Sequence, residues 1–276
     1  IPLMPADLDK AYNGLIAAVR IGEIPEARID ESVKRIIRLK LSRGIVKIEG
    51  GKLVPGDKVG ISLDERVKTA ESIVGSQAHL ELEKRVAEKA VTLLKNQDNL
   101  LPFKLEEGKS IVFFAPYQEM LDLMTDEFGS ILAEKGLKQV DLKGFVYQNL
   151  ASMTEEQKRA VDASDYVVVV SYSSDVASRT PGEHWVPDFV RSVLDYAAST
   201  EKPVAVMAAR NPYDIMYMPD VKAYLAVYGG LRGPNIPAGI RVIFGKALPG
   251  GSLPVAIPEP GGQGILYEKG SGIFFE

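Results

Sequence analysis

Tyr166-Val-Val-Val-Val-Ser-Tyr172 decides the fold. Four consecutive valines cannot alternate between a core face and a wet face. Such a strand is covered on both sides, as a central strand of a parallel sheet is. The loop after it, Ser173 to Trp185, contains Arg179-Thr-Pro-Gly-Glu-His-Trp185. It gathers an arginine, a glutamate, one of the two histidines and the only tryptophan. Ligands of open parallel sheets bind beyond the carboxyl ends of the strands. Arg179, Glu183, His184 and Trp185 therefore form the first candidate site.

On both sides of this stretch, apolar strands alternate with helical periodicity. Upstream, Ser110-Ile-Val-Phe-Phe-Ala115 reads as a buried strand. A helix carrying Met120, Leu121, Met124, Phe128, Ile131 and Leu132 follows, then a weaker strand at Gln139–Leu142 and a polar helix over 154–163. Downstream, Val186, Val190, Val193, Leu194 and Ala197 mark a helix, and Pro203–Ala208 and Ala223–Tyr228 are strands. Ile236, Ile240, Ile243 and Phe244 mark a last helix, and a Gly/Pro-rich tail contains a short strand at Leu253–Ala256. This alternation predicts an α/β fold, an open and mostly parallel sheet with helices on both faces.

The first 100 residues read differently. Leu8, Ala11, Tyr12, Leu15, Ile16 and Val19 recur at helical spacing until Gly22. A second helix starts near Asp30 and carries Ile36, Ile37 and Leu41 before Gly44. Residues 45–62, with four glycines and Pro55, read as a linker or extended loop. A short helix follows Asp64, and a stronger one runs from about Leu80 to Lys95. The expected division is 1–44, 45–78 as linker, and 79–276 as the α/β domain.

Of 276 residues, 46% are apolar and 25% charged, and the net charge is −4. Nothing in this balance points to nucleic acid or an anionic membrane. The absence of cysteine excludes disulfides and thiolate chemistry, and two histidines leave little for a multi-histidine metal site. No apolar run reaches the roughly 18 residues of a membrane span. The first long strand ends Ala115-Pro-Tyr-Gln-Glu119, so neither a dinucleotide-binding glycine pattern nor a P-loop follows it. No nucleophile elbow occurs. No cofactor is expected.

Several stretches in order resemble the C-terminal part of glycoside hydrolase family 3. They are Met4-Pro-Ala-Asp7 leading to Gly22, Arg28-Ile-Asp-Glu-Ser-Val-Lys-Arg-Ile36, and Ala87-Glu-Lys-Ala-Val-Thr-Leu-Leu-Lys-Asn96 with Leu101-Pro102. Next come Ala209-Arg-Asn-Pro-Tyr-Asp214, then Phe244-Gly245, Pro249-Gly250 and Leu253-Pro-Val255. The Arg-Asn-Pro-Tyr-Asp stretch and the first segment look most like bacterial two-domain β-N-acetylglucosaminidases. The resemblance implies that residues 1–44 are the last helices of a TIM-type barrel and that the protein continues upstream of residue 1. It implies an N-terminal barrel domain as partner, a GlcNAc-containing carbohydrate as substrate, and the bacterial cell envelope or secretion as location. The family's nucleophilic aspartate and this subgroup's histidine acid/base would then lie upstream, and the present chain alone would not hydrolyse glycosides.

In the family's β-glucosidase branch the second domain supplies a glutamate acid/base, and Glu183 is the candidate by position. The bland alternative is that Arg179 and Glu183 are solvated loop residues, that His184 is a packed interface residue, and that Trp185 anchors the loop rather than stacking on a sugar. Arg210 and Asn211 follow a strand at the same sheet edge. They either rim the sugar site or domain interface, or Asn211-Pro212 only shapes a turn while Arg210 pairs with Asp214. His79 and the acids Glu81, Glu83, Glu106 and Glu107 read as structural or solvated. The apolar stripes of the first two helices, with Leu15, Ile16, Ile36 and Ile37, need cover, so docking or self-association is expected.

Overall fold

The computed structural model describes residues 5–56, 61–148, 150–172 and 186–275. The chain divides into two compact units, Ile1–Ser76 and Gln77–Glu276.

The first unit contains helices α1 (Leu8–Arg20) and α2 (Glu26–Ser42), a hairpin of β1 (Val46–Glu49) and β2 (Lys52–Pro55), and helix α3 (Leu63–Ile73). Asp7 caps α1 by accepting the Lys10 amide at 2.9 Å. Helix α2 starts four residues before the expected Asp30, because Pro25 already holds its φ at −60° and feeds the first turn. The segment read as an extended loop forms the hairpin, with Gly50 and Gly51 at its tip in the left-handed region. None of the residues of α1, α2 and α3 is buried.

The second unit is a six-stranded sheet. Its strands are β3 (Thr92–Asn96), β4 (Ser110–Ala115), β5 (Asp141–Val146), β6 (Tyr166–Ser171), β7 (Val204–Ala208) and β8 (Ala223–Ala226). Their order is β3-β8-β7-β6-β4-β5, and only the β3–β8 pairing is antiparallel. Helices α4 (Gln77–Ala90), α5 (Gln118–Lys135) and α8 (Asn235–Ile243) contribute to the core on one face, and α6 (Glu155–Asp162) and α7 (Asp188–Ser199) to the core on the other.

The valine run divides as its chemistry requires. Val168 and Val170 pack with Phe113, Met207 and helices α5 and α8, while Val167 and Val169 pack with Phe114, Val206 and helix α7. All four are fully buried, each contributing roughly 1.5–3 kcal/mol. The open, mostly parallel α/β sheet expected from the sequence is the observed fold. Gly239 brings α8 down onto it, where a Cβ would run into Met207 and Val227.

In the second unit, three expected elements shift or change. The helix expected to reach Lys95 ends at Ala90, and Thr92–Asn96 becomes the antiparallel edge strand. Val91, Thr92 and Leu93 are fully buried, and a short apolar run does not reveal its period. The expected strand over 139–142 lies instead at Asp141–Val146. No strand forms over 253–256. Leu253 exchanges isolated bonds with Ser271 and Gly270, and the tail's ladder joins β9 (Ile257–Pro258) to β10 (Ile265–Tyr267).

Two side chains fasten connections at the ends of strands. Asn96 accepts the Leu101 amide at 2.8 Å and donates to its carbonyl at 3.0 Å, closing the loop between them. Asn235, opening α8, donates to the Val227 carbonyl at 2.7 Å.

Candidate functional site

The parallel strands β4, β5, β6, β7 and β8 end on one edge of the sheet. The residues just beyond them are Pro116-Tyr117, Tyr147, Tyr172, Ala209-Arg210-Asn211 and Val227-Tyr228-Gly229. This edge is where an open α/β sheet presents side chains to a ligand.

Tyr117 and Tyr172 meet edge to face, their ring centroids 5.6 Å apart at 88°. The Arg210 guanidinium lies over the Tyr172 ring at 5.6 Å, and Nη1 donates to the phenol oxygen at 3.4 Å. Arg210 is exposed, and no carboxylate among the described residues forms an ion pair with it. Its remaining N–H groups form a planar fork suited to a carboxylate or to paired hydroxyls. The two tyrosine rings give an apolar wall beside that fork.

Asn211 is exposed and extended, at φ −112° and ψ 137°, as the residue before a proline prefers. Pro212 opens a 3-10 turn, Pro212–Tyr217, which folds Asp214 into the core. Arg210 therefore does not pair with Asp214. The two are separated by the turn, and Asp214 takes a hydrogen bond from the Tyr224 hydroxyl of β8.

The Asp214 carboxyl is fully enclosed. Burial pushes its pKa up to about 6, while the hydroxyls of Ser171 and Tyr224 and the backbone N–H groups of Ile215 and Asp214 pull the other way. The Ser171 hydroxyl faces the carboxyl, yet neither Ser171 Oγ nor Asp214 Oδ2 completes a hydrogen bond of normal geometry. Burial also raises the phenols of Tyr224 and Tyr147. Tyr147 donates to the Val170 carbonyl at 2.8 Å and stacks on Phe189, so it fixes the end of β5 against β6.

Beyond β8, Tyr228 holds a left-handed φ of 55°, which is strained for a tyrosine. Its hydroxyl donates to Thr92 Oγ1 at 2.9 Å, tying the β8 end to β3.

Of the residues proposed from sequence, Arg210 and Asn211 are at the sheet edge. Arg179, Glu183, His184 and Trp185 lie outside the described residues. His79 is exposed on α4. Glu107 accepts the Lys138 and Gln139 amides at 3.0 and 2.6 Å, a turn-closing role. Among the described residues, no group of three or more histidine, aspartate or glutamate side chains could hold a metal ion, and no helix is long and apolar enough to cross a membrane. Tyr117, Tyr172 and Asp214 were not singled out from sequence. For the two tyrosines a signal existed, since each lies within two residues of the end of a buried parallel strand.

Comparison with known proteins fits this architecture. Residues 91–272 match the glycosyl hydrolase family 3 C-terminal domain. A β-xylosidase of Formosa agariphila is 26% identical over 85% of this chain and 34% of its own length. A β-N-acetylglucosaminidase/β-glucosidase of Cellulomonas fimi is 24% identical over 92% of this chain and 43% of its own length. The chain thus spans less than half the length of either relative. The crystal structure of a β-glucosidase from Listeria innocua in complex with isofagomine superposes with a TM-score of 0.60 at 17% identity, covering 95% of this chain and 41% of that one. The matched span, which takes in every strand of the six-stranded sheet, makes this chain a member of glycoside hydrolase family 3, carrying its C-terminal domain.

Proposed function

We propose that this chain is the α/β sandwich part of an exo-acting, retaining β-glycosidase, and that its carboxyl sheet edge forms one lip of the sugar site. The observation that carries this reading is the cluster of Tyr117, Tyr172 and Arg210 on the family-matched domain. An aromatic wall beside an open guanidinium fork suits a sugar's C–H face and its hydroxyls. A retaining hydrolysis needs a nucleophilic carboxylate and an acid/base flanking the scissile bond, about 5–5.5 Å apart. In this proposal the nucleophile belongs to an N-terminal barrel domain, with residues 1–44 as the barrel's last helices and residues 45–78 as the connection.

The substrate we propose is a terminal β-N-acetylglucosaminide of the peptidoglycan or chitin type, acted on in the cell envelope or after secretion. The Ala209-Arg-Asn-Pro-Tyr-Asp214 stretch and the similarity to a Cellulomonas fimi protein named for both activities support it. A second reading, a β-glucosidase-type domain in which Glu183 donates the proton, is supported by the likeness to the Listeria β-glucosidase fold. The two separate in one experiment on the whole protein. Turnover of chromogenic N-acetylglucosaminide, glucoside and xyloside is compared before and after Glu183→Gln. The first reading predicts preference for the N-acetylglucosaminide and little loss in the variant. Preference for glucoside, with a loss that added azide partly restores, would establish the second.

A further inference from the structure

Between the ends of β6 and β8, below the turn that carries Arg210 and Asn211, sits the buried carboxyl of Asp214. Three observations define it. First, the carboxyl is fully enclosed, and no lysine, arginine or histidine among the described residues forms an ion pair with it. Second, its Oδ1 accepts from Tyr224, while Oδ2 and the neighbouring Ser171 Oγ, which is also buried, lie close without completing a hydrogen bond of normal geometry. Third, the groups around it are neutral. Ser171 faces it from β6, Tyr224 from β8 and the Ile215 amide from its own turn, while Tyr147, beyond β5, is near enough to feel its charge. Tyr228 and Tyr267 are near enough to Tyr224 to feel its charge.

A buried carboxylate with no cation is costly even beside hydroxyl and amide donors, which burial here outweighs. A buried carboxylic acid in the same place is not, because its Oδ2–H has Ser171 Oγ opposite to receive it. We propose that Asp214 is a pH-sensitive latch: as the neutral acid it joins Ser171 of β6 to Tyr224 of β8 through the Pro212–Tyr217 turn, and on losing its proton to solvent it loosens that turn and the Arg210–Asn211 segment ahead of it.

The carboxyl holds its proton up to about pH 6 in the folded chain and only to about pH 4 when unfolded. The stabilisation it gives is complete below pH 4 and is lost as pH rises through 6. The tyrosines Tyr147, Tyr224, Tyr228 and Tyr267 are all shifted upward and stay neutral throughout this window.

The test is thermal unfolding of the 276-residue chain at pH 4.5 and pH 7, wild type against Asp214→Asn. Asparagine keeps the shape and the donor but cannot ionise. We expect the wild-type Tm to fall by at least about 5 °C across this range, and the variant's to fall by less than half as much. Equal falls in the two proteins, or no fall in wild type, would overturn the latch. If the variant does not fold, the infrared carboxylic acid C=O band of wild type decides. A band lost with a midpoint near pH 6 supports the proposal, and absence of any such band above pH 5 refutes it.

Discussion

Arg210 lies over the ring of Tyr172, with Cζ 5.6 Å from the ring centroid and Nη1 3.4 Å from the phenol oxygen. The contact joins the end of β7 to the end of β6, and through Tyr117 to the end of β4. Three strand ends thus share one cluster, in which the tyrosines are half-buried and Arg210 is exposed. Neither residue is held by a salt bridge among the described residues, so the cluster adds little stability.

Arg210→Ala lowers the chain's stability by no more than about 1 kcal/mol. In the whole protein it lowers kcat/KM about ten-fold on the preferred glycoside, equivalent to about 1.4 kcal/mol. Urea unfolding and steady-state kinetics check the two halves. A large stability loss with unchanged kinetics would make Arg210 a structural residue.

Tyr224→Phe removes the hydroxyl that donates to Asp214 and leaves the buried carboxyl only the weaker contacts of Ser171 and its own turn. The expected cost is about 2–3 kcal/mol. Tyr224 favours the ionised form of Asp214, so its loss pushes the Asp214 pKa further up. The destabilisation is therefore greater at pH 7 than at pH 4.5. Denaturant titrations at the two pH values measure this, and a larger cost at the lower pH would contradict the assignment.

Arg241 on α8 pairs with Glu88 of α4 at 3.2 Å and with Glu127 and Glu134 of α5 at 2.8 and 3.3 Å. Its side chain is only 16% exposed and that of Glu127 only 12%. Arg241→Ala leaves Glu127 half-buried without its cation, at a cost of about 2 kcal/mol, between exposed and fully buried pairs. Replacing Glu134, which is 44% exposed, costs less than half of that. Chemical denaturation of the two variants gives the ratio, and equal costs would show that burial does not set it.

How far the sequence spoke depended on the range of the interaction. The valine run made its two-sided burial legible because the pattern is local: Val167 and Val169 go one way and Val168 and Val170 the other. Arg210 and Asn211 were legible as edge residues because they directly follow a buried strand. The edge strand Thr92–Asn96 was not, since Val91-Thr-Leu-Leu94 continues a helical run without a break in hydrophobicity. Nor was the fate of Asp214, whose partners Ser171 and Tyr224 come from different strands brought together by the sheet order. Sequence spacing suggested Arg210 as its partner, but the turn at Pro212 carries the carboxyl away from it.

Phe113→Ala tests the core on the α5–α8 face. Phe113 is fully buried and meets Phe128 edge to face at 5.5 Å and Phe244 at 6.3 Å. The expected loss is about 3–5 kcal/mol, read from the urea midpoint at unchanged m-value. A loss under about 1 kcal/mol would mean that this face is not closely packed.

In the function we propose, this chain supplies the lip of a glycosidase site and not its nucleophile. The decisive measurement is incubation of the purified 276-residue chain with chromogenic β-N-acetylglucosaminide, β-glucoside and β-xyloside. No turnover above the uncatalysed rate is expected with any of the three. Clear turnover that a single point mutation in this chain abolishes would contradict it.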